Sequence, residues 1–205
     1  EARRMQLIES TIETLAARGY SRTTLTEVAR TAGLSHGLVL FHFETKEKLL
    51  AETLAFLADE YRQNWESALA DVGDDPAEQL NALIEADFHP AICTPARLAA
   101  WCSFWGEAQS RSLYQEACGT KDDAYNVTLE GICARLSDLG GYGRDAVHVA
   151  RVIRVTIEGV WLDMMTMARP YSRDDSLTTV RTCAALCFPD HFTPAGLIPD
   201  RTRVT

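Results

Sequence analysis

From Lys46 to about Val72 the apolar residues Leu50, Leu54, Leu57, Tyr61, Trp65 and Leu69 recur at intervals of three and four. That spacing lines one face of an α-helix. Gly73-Asp-Asp-Pro76 interrupts it, and Pro76, whose missing N–H is harmless in a first turn, opens a helix to about Phe88. Thr94-Pro95 caps another helix, which contains Trp101, Phe104, Trp105 and Ala108. A longer helix is expected from about Ser112 to Leu139, softened at Gly119 and ended by Gly140-Gly141. The next spans roughly Arg144 to Ala168, with Ile153, Ile157, Val160, Trp161 and Met164 along one side. Pro170 stops it, and a last helix covers roughly Asp174 to Phe188. No alternating strand pattern competes, and no internal repeat is visible. The tail from Pro189 to Thr205 holds three prolines and is expected to be irregular or mobile. The fold class is all-α.

The first fifty residues carry a different signal. Thr24 and Glu27 stand three apart before an apolar run, the spacing of a capping box in which each side chain satisfies the other's backbone donor. Val28, Ala29 and Ala32 follow at helical spacing, and Gly33 suits a helix end and a sharp turn. Ser35 then caps a second short helix with His36, Gly37 and Leu38 in its first turn. Two short helices joined by a Gly-containing turn form a helix-turn-helix, which lays its second helix in the DNA major groove. An ordinary helical hairpin has the same spacing, so context must decide.

The context is a run of nearly fifty residues. Arg3-Arg4, Gly19-Tyr20, Thr23-Thr24-Leu25, Ala29-Arg-Thr-Ala-Gly33, Ser35-His-Gly-Leu38, Phe41-His-Phe43 and Lys46-Glu-Lys-Leu-Leu50 follow in order. In this order the region resembles the DNA-binding head of the TetR family of bacterial repressors. The resemblance implies a head with Arg3-Arg4 opening its first helix and Gly19-Tyr20 closing it. Base reading then falls to His36, Gly37 and Leu38, and phosphate contact to Thr24, Thr26, Ser35, His42 and Lys46. The family usually has Tyr where this chain has Phe41, so a hydroxyl that can reach a phosphate is absent.

Composition agrees with a folded domain: 46% apolar and 24% charged residues over 205 positions. The net charge of −9 is unusual for a DNA binder, and its distribution resolves the conflict. Residues 1–50 hold seven Lys/Arg against six Asp/Glu, whereas residues 51–205 hold thirteen against twenty-three. The acidic part is repelled by phosphate, so only the near-neutral head can face a duplex. No apolar run reaches the length of a membrane span, and Glu-Ala-Arg-Arg lacks the features of a signal peptide. A cytoplasmic protein is expected. The chain opens on Glu1 rather than Met, which suggests that a few residues precede it.

Six cysteines (Cys93, Cys102, Cys118, Cys133, Cys183, Cys187) form no Cys-x-x-Cys pair. Cys183 and Cys187 share a helix face, as do His89 and Cys93, with Pro90 interrupting the second pair. Neither makes a four-ligand metal site, and thiols acting as small hydrophobes are expected. His148 and His191 lack partners for catalysis. No catalytic constellation, metal or cofactor is expected, and the chain reads as no enzyme.

Trp101, Phe104 and Trp105 sit at i, i+3 and i+4 and project from one helix face. Spacing leaves open whether they are core or the wall of a ligand pocket. The stretch from Asp87-Phe88 through Leu113-Tyr114, with Ile157-Glu-Gly-Val-Trp-Leu162, resembles the choline-responsive BetI branch of TetR repressors. That resemblance implies a small-molecule inducer of the cationic amine class, held on Phe88, Trp101, Phe104, Trp105 and Trp161 by cation–π attraction, with Glu158, Asp87 or Glu107 supplying charge. It also implies a homodimer through the helices over 144–168 and 174–188, with the Ile153–Met164 stripe and Gly159 at the seam. A two-fold is needed because one short helix reads too few bases.

The expectation is an N-terminal three-helix helix-turn-helix head (1–50) on a helical-bundle ligand-binding and dimerisation domain (51–205). It binds a double-stranded, pseudo-palindromic operator as a repressor and is released by a small-molecule inducer. Two alternatives stay open. One is an activator or ligand-independent DNA-binding protein of the same fold. The other is a helical ligand-binding protein or enzyme without DNA binding.

Overall fold

The computed structural model describes residues 1–107 and 111–199. Its helices are α1 (Ala2–Arg18), α2 (Leu25–Ala32), α3 (His36–Phe43), α4 (Lys46–Ala70), α5 (Pro76–Asp87) and α6 (Pro95–Gly106). They continue as α7 (Arg111–Leu139), α8 (Ala146–Thr166) and α9 (Arg173–Cys187), followed by a hairpin of β1 (Phe192–Thr193) and β2 (Gly196–Leu197). Ala108, expected on the α6 helix, lies outside the described residues, as do residues 200–205 of the tail. The chain packs into two compact units: residues 1–61 with 94–121, and residues 62–93 with 122–199 of the described chain. Packing thus groups α6 and the start of α7 with the first three helices.

In the first unit α1 buries Leu7, Ile8, Ile12 and Leu15 against Val28, Val39, Phe43, Leu50, Leu54, Trp101 and Phe104. Each large apolar side chain so buried contributes about 1.5–3 kcal/mol. Two threonines share this face because their hydroxyls donate back to carbonyls one turn earlier, Thr11 to Leu7 at 2.7 Å and Thr14 to Ser10 at 2.6 Å. Gly33 ends α2 at φ 65°, a backbone conformation that fits glycine and brings α3 into place. Arg97 on α6 joins three helices: it donates to Glu60 of α4 at 2.6 and 2.7 Å and to Glu9 of α1 at 3.1 Å. Those carboxylates raise the Arg97 pKa, the Glu60 hydrogen bond most of all.

In the second unit Asp75, Asp145 and Ser172 cap α5, α8 and α9. Ser172 and Asp175 form a complete capping box that the sequence reading did not single out. At α2 the expected box is only half made. Thr24 accepts from the Glu27 backbone N–H at 3.2 Å, but the Glu27 carboxylate accepts from Arg30 and Arg18 instead. Two guanidinium groups outcompete one neutral backbone donor.

Two further expectations are corrected. The tail is not irregular through its described length: residues 192–197 form the hairpin, and Phe192 and His191 are buried beside it. The His191 ring meets the Tyr142 hydroxyl at 2.6 Å. Ile153, Ile157, Val160 and Trp161 do not form a contact face for a second copy either, because all four are buried within the protomer. The exposed stripe of α8 is Val152, Val155, Gly159 and Leu162. No helix among the described residues is long and apolar enough to cross a membrane.

Candidate functional site

α3 presents the first candidate surface. Ser35 caps it by accepting from Leu38 N–H at 3.2 Å, and Val39 and Phe43 anchor it in the core at 0% exposure. The opposite face is left to solvent: Ser35, His36 and Gly37 are exposed, as are Thr24 and Thr26 on the neighbouring helix. Leu38, His42 and Lys46 are half-buried. Phe41 is 79% exposed, with Leu40 exposed beside it. Among the described ring contacts within the protomer, the Phe41 ring meets only the neighbouring His42 ring, edge-on at 5.2 Å, which leaves an exposed apolar surface on this face.

Lys46 has a second role. Its ammonium donates to the carbonyls of Tyr20 and Ser21 at 3.1 and 3.3 Å and lies 5.4 Å from the Tyr20 ring centre. It therefore ties the start of α4 to the turn after α1. Arg4 does similar work, pairing with Glu52 and lying 5.6 Å from the Phe43 ring centre. Gln6 of α1 donates to the Ala32 carbonyl at 2.9 Å, which steadies the end of α2.

α6 and the start of α7 present the second. Trp101 is buried at 6% exposure, while Trp105, one turn on, is 40% exposed. The two indoles lie 6.2 Å apart, and the Trp101 ring meets Tyr114 edge-on at 6.4 Å. A cavity of about 350 Å³ opens beside them, lined by Phe104, Trp105, Gly106, Glu107, Arg111, Tyr114 and Gln115. Its volume and aromatic wall suit a small ligand. The buried edge of Phe104 meets the Tyr20 ring at 5.9 Å. Burial raises the Tyr20 pKa, and the charges of Glu107 and Glu47 add to it.

Of the six expected ligand residues, Phe104 and Trp105 line this cavity and Trp101 backs it. Phe88, Trp161 and Glu158 belong to the second unit and are absent from its lining. There the Trp161 indole donates to the Asp87 carbonyl at 3.1 Å, and Tyr125 donates to the Asp87 carboxylate at 3.0 Å. Phe88 is 1% exposed, and its carbonyl accepts from Arg173 at 2.8 Å. Glu158 accepts from Arg154 on the same helix at 2.5 Å. Arg111 and Gln115, which line the cavity, went unnoticed because no spacing rule spans the break between α6 and α7.

Among the described residues the cysteines form no disulfide. Burial pushes Cys133 up to about 12 and Cys93 to about 11. Cys183 is different: it accepts from the Cys187 thiol and from Thr156, which pull it down to about 6, and Cys187 rises in response. No group of three metal-ligating side chains stands together among the described residues.

A capped helix-turn-helix with an exposed second helix, joined to a helical remainder with an aromatic-walled cavity, defines a DNA-binding, ligand-responsive regulator. Residues 7–53 match the model of bacterial regulatory proteins of the tetR family, and residues 76–189 match that of the BetI-type transcriptional repressor, C-terminal. The chain belongs to the TetR family and carries the BetI-type C-terminal domain. An HTH-type transcriptional regulator BetI of Rhizobium meliloti (strain 1021) is 34% identical over 180 residues, covering 85% of this chain and 84% of the relative. Another, from Stenotrophomonas maltophilia (strain R551-3), is 29% identical over 78% of this chain and 80% of its own. Among solved structures, a putative transcriptional regulator from Pseudomonas aeruginosa PAO1 superposes with TM-score 0.75 at 25% identity, covering 90% of this chain and 88% of that one. A putative transcriptional regulator from Saccharomonospora viridis, solved in complex with choline, superposes with TM-score 0.74 at 19% identity over 90% and 95%. Its likeness is one of fold. The family consists of transcriptional regulators, not enzymes.

Proposed function

We propose that this chain is a repressor that binds its operator as a homodimer through α3 and is released when a cationic amine enters the cavity between α6 and α7. The functional division falls after residue 50, with DNA reading before it and ligand binding and dimerisation after it. His36, Gly37 and Leu38 read base edges. Thr24, Thr26, Ser35, His42 and Lys46 contact phosphates, and Phe41 lies flat against the backbone. The 79% exposure of Phe41 on an otherwise well-anchored helix is the observation that carries the DNA face. Binding should shift by about 1–3 kcal/mol at one operator position in His36→Ala, read by gel shift against a randomised duplex library. Equal base preferences in parent and variant would overturn this assignment.

The dimer uses Val152, Val155, Gly159 and Leu162 of α8, together with Leu186 of α9, which is 74% exposed. Positions 152, 155, 159 and 162 alternate steps of three and four, the seam spacing of paired helices. Leu162→Glu should yield monomers in sedimentation.

The amine reading rests on Trp105 and Tyr114 at the cavity wall, on Glu107 beside them, and on the choline complex of the Saccharomonospora viridis regulator. Indole faces attract a quaternary ammonium by roughly 0.5–2 kcal/mol. Choline should quench indole emission, and the neutral isostere with carbon in place of nitrogen should bind several-fold more weakly. Equal affinity of the two would remove amines from consideration.

Release follows from the packing of the first unit. α6 carries the cavity wall at its end, and Arg97 at its start holds α1 and α4 through Glu9 and Glu60. A ligand that favours a shifted α6 therefore favours a shifted head. Only that difference in affinity between two arrangements can weaken operator binding.

A further inference from the structure

The wall of the α6–α7 cavity has two electrical ends. One is the end of α6, where Phe104, Trp105, Gly106 and Glu107 line the space. A helix C-terminus carries roughly half a negative charge on its unsatisfied carbonyls, and Glu107 adds a full one. The other is the beginning of α7, where Arg111, Tyr114 and Gln115 line it. Residues 111, 114 and 115 lie within one turn and share a helix face. Arg111 places a guanidinium there. Arg111 is exposed and lines the cavity, and among the described residues it makes no hydrogen bond or ion pair.

A simple cation satisfies only half of this wall. Seated on Trp105 and Tyr114 it gains from the rings and Glu107, but it shares a small cavity with the guanidinium of Arg111, whose like charge opposes it. A ligand with an ammonium at one end and a carboxylate at the other satisfies both ends. Guanidinium and carboxylate match as a two-pronged pair of charge-assisted hydrogen bonds, which is specific for a planar anion. Gln115 adds a neutral amide donor on the same face. The cavity volume of about 350 Å³ admits such a molecule with space for water.

We infer that the effector taken by this cavity is a small zwitterion, with its quaternary or protonated amine on Trp105, Tyr114 and Glu107 and its carboxylate on Arg111. This rests on the amine-binding reading of the same cavity and narrows it. Choline becomes a partial ligand that fills one end. The regulator then responds to an amino-acid-like or betaine-like compound rather than to a bare ammonium alcohol.

Three probes of one size separate the terms: trimethylglycine (both charges), choline (cation only) and 3,3-dimethylbutanoate (anion only). Each is titrated against the full-length protein by calorimetry and indole emission. The zwitterion should bind about tenfold more tightly than choline, the difference expected of a charge-assisted pair. Arg111→Gln should bring the zwitterion down to the level of choline and leave choline unchanged or tighter. Arg111→Lys should keep part of the preference. Since Arg111 is exposed and makes no hydrogen bond or ion pair among the described residues, all variants should melt close to the parent temperature. Choline binding as well as trimethylglycine, or an unchanged ratio in Arg111→Gln, overturns the zwitterion and leaves the amine reading standing. Binding of the anion alone, or of none of the three, overturns both.

Discussion

The α3 surface and the α6–α7 cavity belong to one packing unit but are built in opposite ways. α3 is assembled from neighbours in sequence: Ser35 caps Leu38, Thr24 caps Glu27, and the exposed residues between them are positioned by those local bonds. Its side chains point outward with little inside the protein to hold them. The cavity instead joins the end of one helix to the start of the next, and its aromatic wall is backed by the core through Trp101 and Phe104. A reading surface keeps polar groups unsatisfied until DNA supplies partners. A pocket needs a rigid apolar wall with few polar groups placed on it. The two are connected by α6, whose Arg97 grips α1 and α4.

The largest expected effect comes from the wall. Trp101→Ala removes a buried indole and should cost about 3–5 kcal/mol, enough to lose DNA and ligand binding together by unfolding. Trp105→Ala, at a half-exposed position one turn away, should leave the melting temperature close to that of the parent and remove ligand quenching. Calorimetric melts of the two variants check this. Equal destabilisation would mean that Trp105 is core and the cavity is closed.

On the reading surface the contrast is between base and phosphate. Lys46→Ala should weaken all duplexes alike and flatten the salt dependence, measured as log Kd against log salt. Lys46 also fastens the Tyr20 turn, so part of the loss should persist at high salt. A salt slope identical to that of the parent would confine Lys46 to that internal role.

The smallest effect concerns Phe41. Phe41→Tyr should tighten operator binding by about 0.5–1.5 kcal/mol, one neutral hydrogen bond, without altering stability. The ring already stands in solvent, so the added hydroxyl meets no packing penalty. Weaker binding would mean that the ring contacts apolar sugar or base atoms instead.

Legibility follows the same contrast. The caps at Thr24, Ser35 and Thr94, the Gly33 turn and the described helices from α2 to α9 are legible in local spacing, because the forces that set them act over one turn, whereas α1 came only with the family resemblance. Where two local bonds competed, sequence did not name the winner: Glu27 turned to Arg18 and Arg30 rather than to the Thr24 backbone. On α8 two apolar stripes share one helical period, and spacing alone favoured the one that packing buries. Val152, Val155 and Leu162 differ from Ile153, Ile157 and Val160 only in what lies against them. The hairpin at Phe192 and Gly196 is too short to show alternation. Arg111 is not legible in the sequence because the cavity sets it opposite Phe104 to Glu107, which belong to the preceding helix and its end, beyond any periodic rule.

The central claim is that ligand in the α6–α7 cavity reaches the reading surface through α6. Fluorescence anisotropy of a labelled operator, selected from a randomised library, measures this directly when repeated with saturating trimethylglycine or choline. Coupling of about 1–3 kcal/mol predicts that the parent's operator Kd rises roughly 5–150-fold, while Trp105→Ala binds the operator normally and does not respond. Operator affinity in the parent that is indifferent to both ligands, or release of Trp105→Ala at parent ligand concentrations, would contradict the account.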